Sequence, residues 1–117
     1  MQVSRLKANG RAFAHIAEFH PELTQLRRDL HAHPELGFEE FYTAQRVKEA
    51  LVLCGVDEIH EGVGRTGVVA VIRGQRDTRS RMLGLRADMD ALPMVESNEF
   101  AWKSCKSGLM HGCGHDG

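Results

Sequence analysis

The chain has 117 residues, of which 42% are apolar, and this is enough for one small globular domain with its own core. Fifteen basic against sixteen acidic residues give a formal net charge of −1. A near-neutral chain without runs of one charge excludes proteins that bind nucleic acid or anionic membranes through bulk charge. No segment approaches the roughly 20 apolar residues of a membrane-spanning helix. Three cysteines are too few for a disulfide framework, so we expect a soluble, cytoplasmic protein.

The N-terminal third is predicted to be mostly helical. Residues 1–20 show weak helical periodicity that is broken at Asn9-Gly10, and they are expected to form a loosely ordered extension. The first firm helix is predicted to begin near Pro21, because proline is favoured at the first helical position. It should end before His33-Pro34, since a residue that precedes proline disfavours α geometry. Its apolar face is marked by Leu23, Leu26 and Leu30.

A second helix is predicted from about Glu39 to Leu53. Apolar residues recur there at spacings of three and four, and Gly55 stands where a C-terminal cap belongs. The members of this repeat are Phe41, Ala44, Val47, Leu51 and Cys54.

Three strands are predicted after the helices. Residues 56–60 read as a short edge strand, and the β-branched run 67–72 is typical of a strand buried on both faces. Residues 73–81 are expected to form a polar hairpin or surface loop before a third strand at 82–88. Residues 94–108 lack periodicity and predict a loop with one short helical turn. This order indicates an α/β fold, but three strands do not close a sheet, so part of the fold is expected to be missing.

The final ten residues concentrate the side chains that bind transition metals. Cys113 and His115 are two positions apart between glycines, and His111 and Asp116 flank them. Thiolate and imidazole are ligands of divalent zinc, and glycines allow a tight loop to aim them at one point. The spacing is not that of a zinc finger, and two ligands do not complete a tetrahedral site. An ordinary glycine-rich loop without a metal remains the alternative.

Two aspartates stand at the end of the third predicted strand. Asp88 and Asp90 are two positions apart, so a strand would point both to the same side, at the end where α/β sheets collect ligands. Each could bind a metal or orient a histidine ligand, and a solvated strand end is the alternative. His31 and His33 favour a structural role at a helix C-terminus, and Cys54 that of a small buried residue.

Four blocks of sequence resemble one known family in the same order. The chain is similar to the N-terminal part of the hippurate hydrolase and auxin-conjugate hydrolase group, which belongs to the aminoacylase and carboxypeptidase-type metallo-amidohydrolases. The similarity covers about four fifths of the chain. Its blocks are Leu26-Arg-Arg-Asp-Leu-His-Ala-His-Pro-Glu-Leu-Gly-Phe-Glu-Glu40, Thr66-Gly-Val-Val-Ala70, Gly84-Leu-Arg-Ala-Asp-Met-Asp-Ala-Leu-Pro93 and Met110-His-Gly-Cys-Gly-His-Asp-Gly117.

The resemblance implies the N-terminal portion, residues 21–117, of a zinc-exopeptidase-like αβα sandwich whose lid or dimerisation domain is absent. It implies hydrolysis of the amide bond of N-acyl amino acids such as hippurate, with two divalent ions, Mn²⁺ or Zn²⁺, in a complete enzyme that is a homo-oligomer. Cys113 and His115 match the family's metal ligands, and Asp90 matches the aspartate that orients the metal site from behind. Asp88 falls where carboxypeptidase-type relatives carry a metal-binding histidine, which makes it a further candidate ligand.

The chain departs from the family pattern mainly in length. Gly112 replaces the alanine of many relatives, while the family's general base, an acidic metal ligand and two histidine ligands have no counterpart here. We therefore expect the 117 residues to be inactive alone. Two other readings stay open: a truncated, non-catalytic metal-binding or interaction module, and a structural zinc module that would also use Cys54 or Cys105.

Overall fold

Two helices form the first half of the computed structural model, which describes residues 2–74 and 81–116. Helix α1 spans Gln2–Ala32 and helix α2 spans Phe41–Leu53. Helix α1 ends where the sequence predicts, because Pro34 disfavours helical geometry at His33. None of the described helices is both long and apolar enough to cross a membrane.

The predicted beginning of the first helix is wrong. The helix starts at Gln2 rather than near Pro21, which lies inside it. Proline removes one backbone donor but does not end this helix, whose upstream turns are rich in alanine and other strong helix formers. The apolar side chains of Ile16, Phe19 and Leu23 are about half exposed, at 56%, 46% and 55%. That residues 1–20 form a separate, loosely ordered extension stays a prediction.

Helix α2 confirms its prediction, with a start two residues later than expected. Its end is closed by Gly55, whose φ of 71° lies in the left-handed region. The amide of Gly55 donates to the carbonyl of Val52, and the amide of Val56 donates to the carbonyl of Leu51. This pair of bonds is the Schellman arrangement, which satisfies helix carbonyls that would otherwise lack donors.

The two strands pair with each other as an antiparallel hairpin. Strand β1 spans Glu58–Val63 and strand β2 spans Gly67–Val71, with Glu58 opposite Val71 and Val63 opposite Gly67. The register shifts between Glu61 and Val63, which is a β-bulge. Helix α2 packs against β2. The hairpin therefore has one covered face.

The close approach of the two strands at their turn requires glycine at position 67. A Cβ atom there would collide with the backbone carbonyl oxygen of Val63, which cannot move without breaking the hairpin. We expect Gly67→Ala to destabilise the protein by about 1–3 kcal/mol, the usual range for overpacking. Thermal unfolding measures this. Gly74→Ala is the control, since a Cβ at that position would meet no atom within 4 Å.

Two strand predictions are wrong in part or in full. Strand β2 is not buried on both faces: Val69 is 46% exposed, and Ile72, just beyond the strand, is 77% exposed. The third strand is absent from residues 82–88, where Met82, Leu83 and Leu85 are 91%, 83% and 92% exposed. A strand exists only by pairing, and the described part of the chain offers this segment no partner.

The remaining predictions concern loops. Residues 94–108 form a loop, as expected, but the short helical turn predicted within it is absent. The predicted hairpin or surface loop at 73–81 falls mostly on residues 75–80, which lie outside the described residues. The most buried side chains gather where α1 ends and α2 begins, around the turn at residues 33–40. They are Pro34, Glu40, Thr43, Thr66 and Ala91.

Candidate metal centre

The two predicted metal ligands meet on the C-terminal loop. Residues Gly114–Asp116 form one turn of 3₁₀ helix, and this turn brings Nδ1 of His115 to 3.0 Å from Sγ of Cys113. Cys113 is half-buried and His115 is exposed. A thiol and an imidazole at this distance are in hydrogen-bond contact. The sulfur and the ring nitrogen therefore face one point that can be reached from solvent.

The geometry of this pair fits a shared divalent cation. With Zn–S of about 2.3 Å and Zn–N of about 2.0–2.1 Å, two corners of a tetrahedral site lie about 3.5 Å apart. The observed 3.0 Å requires only a small opening of the pair. However, the described residues contain no cluster of three or more histidine, cysteine, aspartate or glutamate side chains able to hold a metal. The pair therefore supplies part of a coordination shell.

Asp88 is held by a neighbour of its own segment. Its Oδ1 lies 2.5 Å from Nη2 of Arg86, and the arginine side chain is 86% exposed. The described structure does not bring this carboxylate into a group with Cys113 and His115. Ligation of a metal by Asp88 stays a prediction.

The segment that carries Asp90 is bonded directly to the loop that carries Cys113 and His115. Leu92 and Met110 form an antiparallel bridge, in which each amide donates to the other's carbonyl at 2.9 Å and 3.0 Å. Leu92 lies two residues after Asp90, and Met110 lies three residues before Cys113. The bridge therefore fixes the aspartate segment beside the loop, although the orientation of a metal by Asp90 stays a prediction.

The histidines at the end of α1 have structural partners, as their position favours. Nδ1 of His33 lies 2.8 Å from the carbonyl oxygen of Asp29. Nε2 of His31 lies 2.9 Å from Oε1 of Glu96, and the His31 ring is also 6.2 Å from the ring of His111. The His31–Glu96 pair therefore connects α1 to the loop that precedes Cys113 and His115.

Glu96 is a buried acid that the sequence gave no reason to select. Burial by itself raises the pKa of this carboxyl, but hydrogen bonds from the Ser104 amide, Asn98 and His31 outweigh it and lower the pKa to about 2. Only 3% of the Glu96 side chain is exposed. Residues 94–108 have no periodicity, and the partner His31 is 65 positions away, so no local pattern could have indicated this pair.

Gly112, which departs from the alanine expected from the family resemblance, lies against two methionine side chains. An added Cβ would be 3.0 Å from Sδ of Met94 and 3.4 Å from Cε of Met110. Both are ends of flexible side chains that can shift by tenths of an ångström. We expect Gly112→Ala to change the free energy of unfolding by less than about 1 kcal/mol. Thermal unfolding checks this, and a loss as large as that of Gly67→Ala would contradict it.

Comparison with known proteins supports the family resemblance that the sequence blocks indicate. The sequence model of Peptidase family M20/M25/M40 matches residues 84–117. Over 102 residues the chain is 43% identical to hippurate hydrolase of Campylobacter jejuni and 45% identical to N-acyl-L-amino acid amidohydrolase of Geobacillus stearothermophilus. Each alignment covers 87% of this chain, but only 26% and 27% of the two relatives.

Solved structures agree in fold. The chain superposes on a dinuclear metal binding peptidase of the M20 family from Bacillus subtilis with a TM-score of 0.76 and 40% identity, covering 86% of this chain and 27% of that one. A putative aminohydrolase from methicillin-resistant Staphylococcus aureus matches with a TM-score of 0.79 and 35% identity. The predicted α/β class, as one portion of a larger fold, is confirmed. The chain is similar to proteins of peptidase family M20/M25/M40 and spans about a quarter of the length of the relatives it matches.

Proposed function

We propose that the chain provides one part of the metal centre of an amidohydrolase that cleaves the amide bond of N-acyl amino acids. The observation that carries this proposal is the 3.0 Å approach of Cys113 Sγ and His115 Nδ1 on a loop bonded to the Asp90 segment. The names of the relatives, which include a hippurate hydrolase and an N-acyl-L-amino acid amidohydrolase, supply the substrate class.

Each residue has a distinct role in this proposal. Cys113 binds as a thiolate and His115 as a neutral imidazole, because a proton on the sulfur or on the ligating ring nitrogen would compete with the metal. Asp90 orients the centre from behind, and Asp88 is a candidate ligand. A divalent ion, when bound, polarises the amide carbonyl and lowers the pKa of water toward about 7. Thiolate ligation suits Zn²⁺ on softness, while the family resemblance supports Mn²⁺ equally.

We place the general base outside residues 1–117. Among the described residues no third histidine, cysteine, aspartate or glutamate joins the Cys113–His115 pair, and the carboxylates of Asp88 and Glu35 have other partners. Removal of a general base costs typically about 10²–10⁴ in rate. The 117 residues alone are therefore expected not to turn over substrate. In the complete enzyme we expect two divalent ions, assembly into a homo-oligomer and a cytoplasmic location, because an odd and sparse set of three cysteines suits a reducing environment.

A second function is favoured by one observation. Because the described residues bring only two donors together, a non-catalytic metal-binding or interaction module derived from this family would have the same local structure. Such a module would bind a cation without hydrolysing an amide.

One experiment separates the two functions. The longest open reading frame that contains the chain is expressed beside residues 1–117, and each is loaded with Zn²⁺ or Mn²⁺ and assayed on hippurate and N-acetyl amino acids. Release of the free amino acid by the longer product, with none from residues 1–117, supports the enzyme. Bound metal without turnover in a frame that ends at Gly117 supports the module. Metal content by mass spectrometry identifies the native ion.

A further inference from the structure

Glu35 connects helix α2 to the turn that precedes it. Its Oε1 accepts a hydrogen bond from the amide of Tyr42 at 3.1 Å, and its Oε2 accepts one from the amide of Thr43 at 2.8 Å. These are the second and third residues of α2, whose own N-cap residue, Glu40, makes no capping hydrogen bond through its side chain. The Glu35 carboxylate thus caps the helix from a distance, and its side chain is only 11% exposed.

The backbone of the same residue holds the Asp90 segment. The carbonyl oxygen of Glu35 accepts a hydrogen bond of 2.7 Å from the amide of Ala91, which is 3% exposed and directly follows Asp90. Gly37, two residues further along the turn, lies beside Asp90, where an added Cβ would be 3.9 Å from its Oδ2. The turn therefore contacts the aspartate segment at two points.

The turn depends on these bonds to keep its shape. Phe38 has a φ of 67°, in the left-handed region that a bulky side chain rarely adopts. Strained residues of this kind persist only where the surrounding structure fixes them. The two bonds from α2 to the Glu35 carboxylate fix the turn at the residue that reaches Ala91. Without them, the position of the Glu35 carbonyl would no longer be set by the helix.

We propose that Glu35 is a positioning residue for the metal centre. Its carboxylate locks the turn to α2, and its carbonyl fixes Ala91 and with it the adjacent Asp90, which the proposed function places behind the metal. The inference rests on the proposed function, since it assigns Glu35 to the same metal site. It adds a residue that touches neither metal nor substrate, and loss of such outer supports typically weakens metal affinity about 10–100-fold.

The test measures Co²⁺ affinity by chelator competition in the complete, metal-exchanged protein, with thiolate-to-cobalt absorption as the signature of Cys113 ligation. Glu35→Gln keeps the size of the side chain but replaces one acceptor oxygen with a donor. We expect it to weaken Co²⁺ binding about 10-fold. If the Glu35→Gln variant does not fold, the Glu35→Asp variant is used instead, because its shorter side chain cannot bring the carboxylate to both amides. Ala50→Gly is the matched control, because it weakens α2 away from the turn.

A double-mutant cycle with Asp90→Asn distinguishes positioning from general stability. If Glu35 acts through the Asp90 segment, the double variant binds Co²⁺ no more than about twofold weaker than Asp90→Asn alone. The proposal would be overturned if the losses of Co²⁺ affinity in the two single variants added up in the double variant. It would also be overturned if Ala50→Gly, at a similar fall in Tm, lost as much Co²⁺ affinity as Glu35→Gln. Unchanged affinity in Glu35→Gln would overturn it too. Should Cys113→Ala keep full affinity, both this inference and the proposed metal site fail; if Cys113→Ala abolishes binding while Glu35→Gln does not weaken it, only the inference fails.

Discussion

Replacing Cys113 and His115 together with alanine is expected to abolish metal binding and to lower kcat/KM of the complete enzyme by at least about 10³-fold. Loss of an outer support alone costs about 10–100-fold, so removal of two direct ligands must cost more. Sγ of Cys113 and Nδ1 of His115 are 3.0 Å apart, so one cation placed between them would contact both atoms. Metal content per protein chain and hydrolysis of hippurate measure the two effects.

The other two cysteines are the matched controls for this experiment. Cys54 and Cys105 are both free and exposed, and neither lies in a metal-type cluster of the described residues. The exposure of Cys54 contradicts the buried position predicted for it. We expect Cys54→Ala and Cys105→Ala to keep wild-type metal content and turnover. Loss of bound metal in either control would instead favour the structural zinc module. Full metal content and turnover in the Cys113→Ala, His115→Ala double variant would eliminate the proposed centre.

The elements that the sequence predicts well are those whose determinants are local. Helix α2 has its apolar repeat, and its closing glycine follows within two residues, so its end was predictable from residues 39–55. The end of α1 depends only on Pro34. The contact between Cys113 and His115 also has local determinants, because the two residues are two positions apart and the glycines beside them allow a tight turn. That they bind a metal stays a prediction.

The features that were not predictable depend on residues distant in sequence. Whether 82–88 pairs as a strand is decided by a neighbouring strand, and the exposure of β2 is decided by what covers its second face. The helical state of residues 2–20 reflects propensity without an apolar stripe, which periodicity cannot detect. The roles of Glu35 and Glu96 follow from bonds across the chain that local patterns do not encode.

Glu96→Ala is expected to destabilise the protein by about 3 kcal/mol, because it breaks a buried pair and leaves the donors of that pair unsatisfied. Its carboxylate accepts hydrogen bonds from His31 Nε2 at 2.9 Å, from the Ser104 amide at 2.5 Å and from Asn98 Nδ2 at 2.9 Å. Glu96→Gln keeps part of this network and should lower the free energy of unfolding by less than Glu96→Ala does. Chemical unfolding compares the variants.

The control for this prediction lies three residues away. Glu99 also makes an ion pair, 3.2 Å from Nζ of Lys103, but its side chain is 87% exposed. Exposed pairs are typically worth about 0–1 kcal/mol, so Glu99→Ala should change stability by less than about 1 kcal/mol. Equal losses in Glu96→Ala and Glu99→Ala would show that burial of the His31 pair contributes nothing.

Acid should remove the contribution of Glu96 in a defined pH range. The folded protein lowers the pKa of this carboxyl from 4.5 to about 2, so protons bind more readily to the unfolded chain. The stabilisation is therefore complete above about pH 4.5 and is lost progressively as the pH falls toward 2. Other carboxyls, such as Asp29, also have a lowered pKa, so the difference between wild type and Glu96→Gln isolates this one. The two stabilities should converge as the pH falls from 5 to 2, and parallel pH profiles would contradict the assignment.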